Sequence, residues 1–475
     1  MKIAILGFGR EGKAVLKYLK KSAQYKNAEI SILDKKTDKP THHNFVWCGG
    51  KDYLKNLAQF DIIFRSPGIP YNLPEIQNAI KKGVKFSSAT QLFFDEINKM
   101  VRRGSPQVIG ITGTKGKGTT STLLYKILKS AGKDARPEQR RRIFLAGNIG
   151  KPAVELLPKL KNNSIVILEL SSFQLQDLNL PSAPTGGGGP NIAVVLNVFE
   201  DHLDSHKNFN EYVNSKANIA KWQRKSDKIF YDASNKRSKW IAEKSQGEKT
   251  PVSLFQYSQE FENELCIKNL KIPGEHNLKN VAMASAVAQS LGIKPEIIKK
   301  VVKNYRGMEH RLELVHSNIL KNVGMNFYND SASTNPYTAA AAVRAFPNQP
   351  KILICGGKDK NLDYAPLAKA LKNSDTKMVI LFGENKKKIA KAISGIKNNE
   401  SPHINNYVRN ELRIMEVKNL KQTVQLAYKT AKKLINLSAY QLITIIFSPA
   451  AASFDMFKDY EDRGKKFREI VRRLK

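Results

Sequence analysis

Apolar runs that end in glycine-rich turns and lead into helical patterns are the feature that most constrains this fold. Residues 2–20, KIAILGFGREGKAVLKYLK, follow this order, and residues 108–128, VIGITGTKGKGTTSTLLYKIL, repeat it. Apolar β-type runs alternate with helical patterns over the rest of the chain. Strands that are separated by helices usually pair in parallel, so this order predicts an α/β protein with parallel sheets.

Three domains are predicted, spanning residues 1–104, 105–306 and 307–475. A chain of 475 residues suits several domains, and RRGSP at 102–106 is typical of a linker. ARPEQRRRI at 135–143 and PSAPTGGGGP at 181–190 are predicted surface loops, because charge, proline and repeated glycine disfavour helices and strands. Further predicted strands lie in ISILDKK, DIIFR, SIVILELSS, NIAVVLNVFED, KILICGGKDKN, KMVILFGEN and LITIIFSPAAAS.

The chain carries a formal net charge of +37, and its lysines are spread along the whole sequence rather than gathered in one motif. We therefore expect anionic ligands and no nucleic-acid partner, with an ATP-dependent nucleic-acid protein kept as an alternative. No apolar run reaches the 18 residues of a membrane-spanning helix, and the short N-terminal run predicts a strand rather than a signal peptide. Cys48, Cys266 and Cys355 match no metal-binding spacing, which indicates a reducing, cytoplasmic location.

The turn GFGREG places Gly7, Gly9 and Gly12 between a predicted strand and a predicted helix, and Asp34 ends the next strand. This spacing is typical of a dinucleotide-binding turn, in which glycines let the main chain approach a diphosphate. Because a helix N-terminus favours any diphosphate, three interpretations stay open. They are an NAD-dependent oxidoreductase, a site for another nucleotide diphosphate, and a purely structural turn.

The second glycine turn, ITGTKGKGTTST at 111–122, predicts a phosphate-binding loop in which main-chain amides and Lys117 contact phosphate oxygens. It departs from a strict Walker A motif at two positions. Ile111 stands where that motif begins with glycine, and Gly118 follows the lysine in place of serine or threonine. The hydroxyl that usually holds Mg²⁺ is therefore missing from its usual position.

Acidic and polar side chains follow several predicted strands. Glu169 ends the run SIVILE, and Glu200, Asp201, His202 and Asp204 follow NIAVVLNV. Because ligands of parallel sheets bind beyond the carboxyl ends of the strands, Glu169 is a candidate Mg²⁺ ligand and the second group a candidate site for another Mg²⁺. In the third domain, the loops NDSASTNP, GGKDKN and SPAAASFDMF suggest a domain that faces the nucleotide.

The sequence resembles the Mur ligases. The blocks TGTKGKGTT, GNIG, LELSSFQL, NVFEDHLD, GEHNLKN, EHRLE, NDSASTNP, GGKDK and SPAAASFDMF occur in that family's order and cover essentially the whole chain. SSFQL and SPAAASFD, with GFGREG and SPGIP upstream, are most similar to the branch that adds D-glutamate to UDP-N-acetylmuramoyl-L-alanine in peptidoglycan precursor synthesis. The resemblance implies an N-terminal Rossmann-like UDP-binding domain, a central P-loop ATPase-type domain with a parallel sheet, and a C-terminal Rossmann-like domain.

The resemblance also implies chemistry and site residues. The expected reaction is ATP-dependent amide-bond formation through an acyl phosphate, with Mg²⁺, in a monomer. The implied catalytic residues are Lys117, His202 and Lys216, the last carbamylated, and the implied metal ligands are Thr119, Glu169, His202 and Lys216. The implied ATP contacts are Gly113, Thr114, Lys115, Gly116, Lys117, Gly118, Thr119, Thr120, Asn277, Arg311 and Asp330. The implied contacts to the UDP-muramoyl substrate and D-glutamate are Gly9, Arg10, Glu11, Asp34, Ser66, Asn148, Ser171, Lys360, Ser453, Phe454 and Tyr460.

Two departures from the family pattern bear on these assignments. Related ligases tolerate glycine after the loop lysine when the next residue carries a hydroxyl, so the hypothesis is that Thr119 supplies the Mg²⁺ ligand. Ala332 stands in NDSASTN where the family commonly has lysine, which removes one charge contact to the incoming amino acid. The alternatives within this chemistry are another Mur ligase and a folylpolyglutamate synthase-like ligase, which would lack the N-terminal UDP-type domain.

Overall fold

The computed structural model describes residues 1–37, 45–100, 106–134, 136, 139–179, 188–202, 205–253, 270–272, 275–320, 323–347, 349–395, 412–436 and 440–474. The chain forms two compact units, one of residues 1–268 and 278–302 and one of residues 269–277 and 303–475. In the described residues, the first unit holds two sheets and the second holds one. The α/β prediction is confirmed, while the three domain boundaries stay a prediction.

The first sheet contains β1 (Lys2–Leu6), β2 (Glu29–Asp34), β3 (Val46–Gly49), β4 (Ile62–Arg65) and β5 (Lys85–Ser87). Its strands are all parallel, in the order β3-β2-β1-β4-β5. The strand order reverses at β1, so the GFGREG turn emerges at a point where open parallel sheets bind ligands. β3 was not predicted, because VWCG is short and only half-buried.

The second sheet contains β6 (Gln107–Thr112), β7 (Arg142–Gly147), β8 (Ser164–Glu169), β9 (Ile192–Val195), β10 (Lys228–Asp232) and β11 (Glu248–Val252). It is also parallel, in the order β11-β10-β9-β6-β8-β7. β6, β8 and β9 are almost wholly buried, as in a parallel sheet covered on both faces. The order reverses at β6, which places the predicted phosphate loop at this sheet's switch point.

The third sheet, in the second unit, contains β12 (Glu313–Leu320), β13 (Val323–Asn329), β14 (Lys351–Gly356), β15 (Thr376–Phe382), β16 (Arg413–Glu416) and β17 (Leu442–Phe447). The order is β12-β13-β17-β14-β15-β16. β12 runs antiparallel to β13, whereas the other pairs are parallel. The prediction of parallel sheets is therefore wrong at this edge. Only residues 321 and 322 separate the two strands, and so short a connection requires antiparallel pairing.

Helices connect the strands, and many begin at a polar cap. The side chains of Asn208, Asn235, Asn335 and Asp459 each accept a hydrogen bond from the main-chain amide of the first helical turn. In the N-terminal and central helices, buried apolar side chains face the sheets. The helices are α1 (Arg10–Leu19), α2 (Pro74–Lys81), α3 (Ala89–Lys99), α4 (Lys117–Asp134), α5 (Ser172–Gln176), α6 (Phe209–Lys221), α7 (Lys236–Ala242), α8 (Glu275–Ser290), α9 (Pro295–Asn304), α10 (Pro336–Arg344), α11 (Ala365–Lys372), α12 (Lys386–Ser394), α13 (Leu420–Asn436) and α14 (Tyr460–Arg472). Among the helices described, none combines the length and apolar character needed to span a membrane.

The two predicted surface loops need correction where they are described. Arg142 and Ile143 belong to β7, so the first loop ends earlier than predicted. At the end of the second loop, the amides of Gly188 and Gly189 donate to the Trp222 carbonyl at 2.9 and 3.0 Å, and Pro190 is buried. On its other side, the Asn179 amide donates to the Gln91 side chain at 2.8 Å. Residues 135, 137–138 and 181–187, and residues 102–105 of the predicted linker at 102–106, lie outside the described residues.

Candidate active site

The loop after β6 is fixed by the segment that follows β9. The amide of Thr114 donates to the Asn197 carbonyl at 2.6 Å, and the amide of Lys115 donates to Asn197 Oδ1 at 3.0 Å. Thr114 Oγ1 accepts from the Phe199 amide at 3.0 Å and lies 2.9 Å from the Tyr212 hydroxyl. The loop is thus shaped before any ligand binds, as phosphate recognition by main-chain amides requires.

Two lysines converge on this loop. Lys117 Nζ donates to the carbonyls of Gly113 at 2.9 Å and Thr114 at 3.1 Å. Lys216, on α6, is buried and its Nζ donates to the same Gly113 carbonyl at 3.0 Å. Burial, and next the charge of Lys117, lower the pKa of Lys216 well below its ordinary value. Its surroundings therefore favour a neutral amine at Lys216.

Thr119 and Thr120 have different surroundings at the start of α4. Thr120 is fully buried, and its Oγ1 lies 3.4 Å from Asn280 Oδ1. Thr119 is partly exposed, so its hydroxyl is the more accessible of the two. Beside the loop, an open cavity of about 320 Å³ lies between the strand ends and α8. Its lining includes Leu196, Asn197, Asp232, Lys279, Asn280 and Met283.

Glu169 lies at the carboxyl end of β8 and is buried. Its Oε1 accepts a hydrogen bond from Asn148 Nδ2 at 2.8 Å, and its carbonyl accepts one from the Asn148 amide at 2.8 Å. Two residues later, Ser171 caps α5, with its Oγ 3.2 Å from the Gln174 amide. The structure therefore brings Glu169, Asn148 and Ser171 to adjoining strand ends, and a strand end was predicted from the sequence for Glu169 alone.

The acidic segment after β9 lies beside the phosphate loop. Asp201 Oδ2 lies 3.7 Å from Lys115 Nζ and 3.9 Å from His202 Nε2, and Glu200 is exposed. In the described part of the chain, no three His, Cys, Asp or Glu side chains lie close enough to hold one metal ion, and Asp204 is outside that part. The second Mg²⁺ site at Glu200, Asp201, His202 and Asp204 therefore stays a prediction.

The N-terminal turn contacts the central sheet's loops directly. Arg10 Nη1 donates to the Gly150 carbonyl at 2.8 Å, and its Nη2 donates to the Asn148 carbonyl at 3.2 Å. Glu11 Oε1 accepts from Gln174 Nε2 at 2.7 Å, and burial raises the pKa of Glu11. The GFGREG turn therefore contacts residues of GNIG and SSFQL, which lie far from it in the sequence but belong to the same unit.

Other predicted residues of the first sheet lie around the same turn. Asp34 Oδ2 accepts from the Phe8 amide at 2.6 Å, so its carboxylate fixes the turn itself. Ser66 Oγ donates to the Gly7 carbonyl at 2.7 Å. Gly7 has a φ of +88°, which favours glycine, and Gly9 is exposed with open space beside it.

In the second unit, Asp330 and Arg463 tie the NDS and SPAAAS segments together. Asp330 is buried, and its Oδ2 accepts from Ser448 Oγ at 2.7 Å. Burial raises the pKa of Asp330 to about 7. Arg463 is fully buried and donates to the Ser331 carbonyl at 2.8 Å and to the Ala452 carbonyl at 3.2 Å.

The remaining predicted residues of the second unit differ in exposure. Asn277 and Ser453 are buried, whereas Arg311, Lys360, Phe454 and Tyr460 are exposed. Phe454 and Tyr460 are large side chains left 67% and 39% exposed, as expected of residues that await a ligand or partner rather than a core. Ala332 contributes its main chain, whose amide donates to the His310 carbonyl at 2.9 Å.

Sequence reasoning missed three enclosed polar groups, Arg65, His206 and Arg463. Arg65 ends β4 and forms a buried two-pronged ion pair with Asp177, at 2.8 and 3.0 Å. His206 is fully buried against α5. For His206, its spacing of four residues from His202 was a signal in the sequence. Neither buried arginine could be recognised in a chain with so many lysines and arginines.

The donors fit Mg²⁺ in part. Glu169 and Thr119 provide the oxygen atoms that Mg²⁺ prefers, and Asn148 holds one Glu169 oxygen in place. His202 is about half exposed and can turn to a ligand. Lys216 cannot bind a cation as an amine and would do so only once its nitrogen carries a carboxylate.

Comparison with known proteins identifies the family. Residues 111–288 match the family model described as Mur ligase middle domain, and residues 1–88 match Mur ligase MurD-like, N-terminal domain. The UDP-N-acetylmuramoylalanine–D-glutamate ligase of Acetivibrio thermocellus is 32% identical over 495 residues, which cover 99% of this chain and 96% of the relative. The chain belongs to the Mur ligase family.

Other Mur ligases agree with this result. The UDP-N-acetylmuramoylalanine–D-glutamate ligase of Ruminiclostridium cellulolyticum is 31% identical, covering 100% of this chain and 97% of the relative. A crystal structure of MurF from Acinetobacter baumannii has the same fold, with a TM-score of 0.52 at 15% identity, covering 98% of this chain and 93% of that one. The resemblance to the Mur ligases stated from the sequence is confirmed.

Proposed function

We propose that this chain is an ATP-dependent ligase that adds D-glutamate to UDP-N-acetylmuramoyl-L-alanine in peptidoglycan precursor synthesis. The observation that carries the proposal is the switch point of the second sheet. There Lys117 and Lys216 meet at the Gly113 carbonyl, in a chain whose full-length relatives carry that enzyme name. We also propose that the enzyme is a monomer and is located in the cytoplasm, as expected from the sequence.

The proposed reaction joins two anionic partners, which sets what the site must do. A carboxylate oxygen of the muramoyl substrate attacks the γ-phosphorus of ATP. The bond between that phosphorus and the bridging oxygen breaks, and ADP leaves with the bonding electron pair. The amine of D-glutamate then attacks the acyl carbon, and phosphate leaves. Positive charge and aimed amides must offset the negative charge that gathers on the phosphoryl oxygens. Lys117 and the amides of Gly113 to Thr120 would supply this once Lys117 turns from the loop carbonyls to phosphate.

Mg²⁺ would be held by Thr119, Glu169, His202 and a carbamylated Lys216, and it would neutralise phosphate charge. The surroundings of Lys216 support the modification. Carbon dioxide reacts with a neutral amine, and burial beside Lys117 favours that form. The carbamate would place oxygen ligands where the amine of Lys216 lies.

The muramoyl substrate would extend along the first unit. Gly9, Arg10, Glu11, Asp34 and Ser66 would contact its UDP end, and Asn148 and Ser171 its carboxylate end. The Arg10–Asn148 contact supports one continuous site, because it joins the two groups of residues. In the second unit, Asn277, Arg311 and Asp330 would contact ATP, and Lys360, Ser453, Phe454 and Tyr460 would contact D-glutamate.

The alternatives are less well supported. The match of residues 1–88 to a Mur-type N-terminal domain argues against both an NAD-dependent oxidoreductase and a folylpolyglutamate synthase-like enzyme. An oxidoreductase would also leave the Lys117 loop without a role. Another Mur ligase specificity is the alternative that needs an experiment, because Ala332 removes a lysine from the amino-acid end.

A phosphate-release assay tests the proposal. The purified protein is given ATP, Mg²⁺ and UDP-N-acetylmuramoyl-L-alanine with D-glutamate, L-glutamate, L-alanine or L-lysine in turn. We expect the highest kcat/KM with D-glutamate, and faster turnover with any other amino acid would overturn the assignment. A titration that detects ATP–Mg²⁺ binding but no NAD binding would exclude the oxidoreductase.

A further inference from the structure

Helix α5 is too short to hold its own position. It has five residues, Ser172–Gln176, and it directly follows Ser171 and the strand that ends at Glu169. Isolated helices of this length are unstable in water, so contacts from elsewhere must fix it. A contact from outside the helix is needed at the end of α5 that faces the strand ends.

His206 makes that contact. Its side chain is fully buried, and its Nε2 lies 3.0 Å from Ser172 Oγ. Its ring stacks on Phe173, with ring centroids 5.1 Å apart and planes 9° apart. Phe173 in turn lies edge-on to His202, also at 5.1 Å. One imidazole therefore touches both residues that begin α5 and, through Phe173, reaches the His202 ring.

His206 is itself held from two sides. Its amide donates to the His202 carbonyl at 3.0 Å. Its Nδ1 lies 3.9 Å from Glu211 Oε2, and no hydrogen-bond partner for that nitrogen is present in the described part of the chain. Glu211 is anchored by Asn72 from the first sheet's SPGIPYN loop, at 2.9 and 3.0 Å. A chain of contacts thus runs from Asn72 through Glu211 and His206 to Ser172.

This chain of contacts lies where the proposed chemistry takes place. Ser171, next to Ser172, is proposed at the muramoyl carboxylate, and His202 is proposed as a metal ligand. A displacement of either by about 1 Å is enough to lower a rate by about 100-fold. A neighbour that fixes both positions acts on the reaction without touching a reacting atom.

We propose that His206 is a positioning residue for the ligase reaction. It holds Ser171 in place through Ser172, and it holds His202 in place through Phe173. This inference rests on the proposed ligase function. Nε2 makes the contact to Ser172, and the flat ring makes the contact to Phe173, where a planar side-chain amide can take its place; Nδ1 contributes only its proximity to Glu211. The side chain should therefore be replaceable by one that keeps a polar atom at the Nε2 position.

His206→Gln and His206→Asn separate this role from simple packing. Glutamine places its amide near the Nε2 position and reaches Ser172, whereas asparagine is one methylene shorter and does not. Kinetics are measured with whichever amino acid the wild type uses fastest, so a wrong D-glutamate assignment leaves the test intact. We expect kcat to fall at least tenfold in His206→Asn and less than threefold in His206→Gln, with KM for ATP within twofold of wild type in both.

Ser172→Ala is the second arm and removes only one buried oxygen. It should lower kcat in the same direction as His206→Asn, and the double variant should be no slower than the slower single variant, because both remove one interaction. His316→Asn, in a partly buried histidine of β12, is the matched control and should keep wild-type kinetics. His206→Asn with a kcat within twofold of wild type overturns the proposal. So do equal losses in the Gln and Asn variants, or additive losses in the double variant.

Discussion

Lys117 Nζ and Lys216 Nζ donate hydrogen bonds to one and the same carbonyl oxygen, that of Gly113, at 2.9 and 3.0 Å. Two ammonium groups that share one oxygen repel each other, and the repulsion is strongest away from water. Burial, together with the charge of Lys117, lowers the pKa of Lys216 well below its ordinary value. The geometry thus favours the neutral amine at Lys216.

Lys117→Ala should abolish ligase turnover, lowering kcat/KM by at least a factor of about 1,000, because the contact to the transferred phosphoryl group is lost. The matched control is Lys126→Ala, which removes an exposed lysine of the same α4 that is not among the implied ATP contacts. Steady-state phosphate release measures both. Near-normal kcat/KM in Lys117→Ala would refute the ATP-loop assignment.

Lys216→Ala should also inactivate the enzyme, and short carboxylates such as acetate or formate should partly restore activity by taking the place of the carbamate oxygens. Lys221→Ala, on the last turn of the same helix and exposed, should behave as wild type. The readout is turnover with and without added carboxylate. A fully active Lys216→Ala enzyme would reject a metal-ligand role.

Thr119→Val should raise the Mg²⁺ concentration needed for half-maximal activity several-fold, because it removes the accessible hydroxyl at the start of α4. Thr120→Val removes a buried hydroxyl near Asn280 and should instead lower the free energy of unfolding by about 1 kcal/mol. Mg²⁺ titrations of turnover and urea unfolding separate the two effects. Equal Mg²⁺ dependence in both variants would contradict the assignment of Thr119.

Gly116→Ala should distort the phosphate loop. Gly116 has a φ of +88°, and an added Cβ would collide with the Asn280 side chain. We expect ATP binding to weaken at least tenfold by calorimetry. Gly132→Ala in the same α4, where a Cβ meets nothing within 4 Å, should leave binding unchanged and stabilise the protein by roughly 0.5–1 kcal/mol.

Asp330 should make the second unit less stable as pH rises. Its folded pKa is raised to about 7 by burial, against about 3.9 in an unfolded chain. The native state therefore binds the proton more tightly, and this stabilisation is complete below about pH 4 and lost as the pH rises through about 7. Relative to wild type, the free energy of unfolding of Asp330→Asn should rise steadily from pH 5 to pH 8, by on the order of 2–3 kcal/mol over that range. Asp52→Asn, at an exposed site, should show no such trend.

The sequence predicted the features that follow from local pattern. The apolar runs and glycine turns indicated where β1, β6 and the loops after them lie, because such strands and turns are determined by residues that are neighbours in the sequence. The strand-end position of Glu169 followed from the rule that ligands of parallel sheets bind beyond the carboxyl ends of the strands. Individual roles at those positions came from resemblance to a family and stay predictions.

The features that depend on distant contacts were not predictable. The Arg65–Asp177 pair and the Asn72–Glu211 contact join segments more than a hundred residues apart, and nothing in local composition indicates either one. The proximity of Asp201 to Lys115 of the phosphate loop was not predictable for the same reason. The edge strand β12 was missed because ELVHSNIL lacks a clean alternation of apolar residues.

The hydrogen bonds at Asn179, Gly188 and Gly189 have a consequence for the path of the chain into β9. The Asn179 amide donates to Gln91 of α3, and the Gly188 and Gly189 amides donate to the Trp222 carbonyl just after α6. The last residue described before position 180 and the first ones described after position 187 are thus each fastened to a helical region of the first unit. The direction in which the chain enters β9 is therefore set by the end of α6 as well as by the sheet itself.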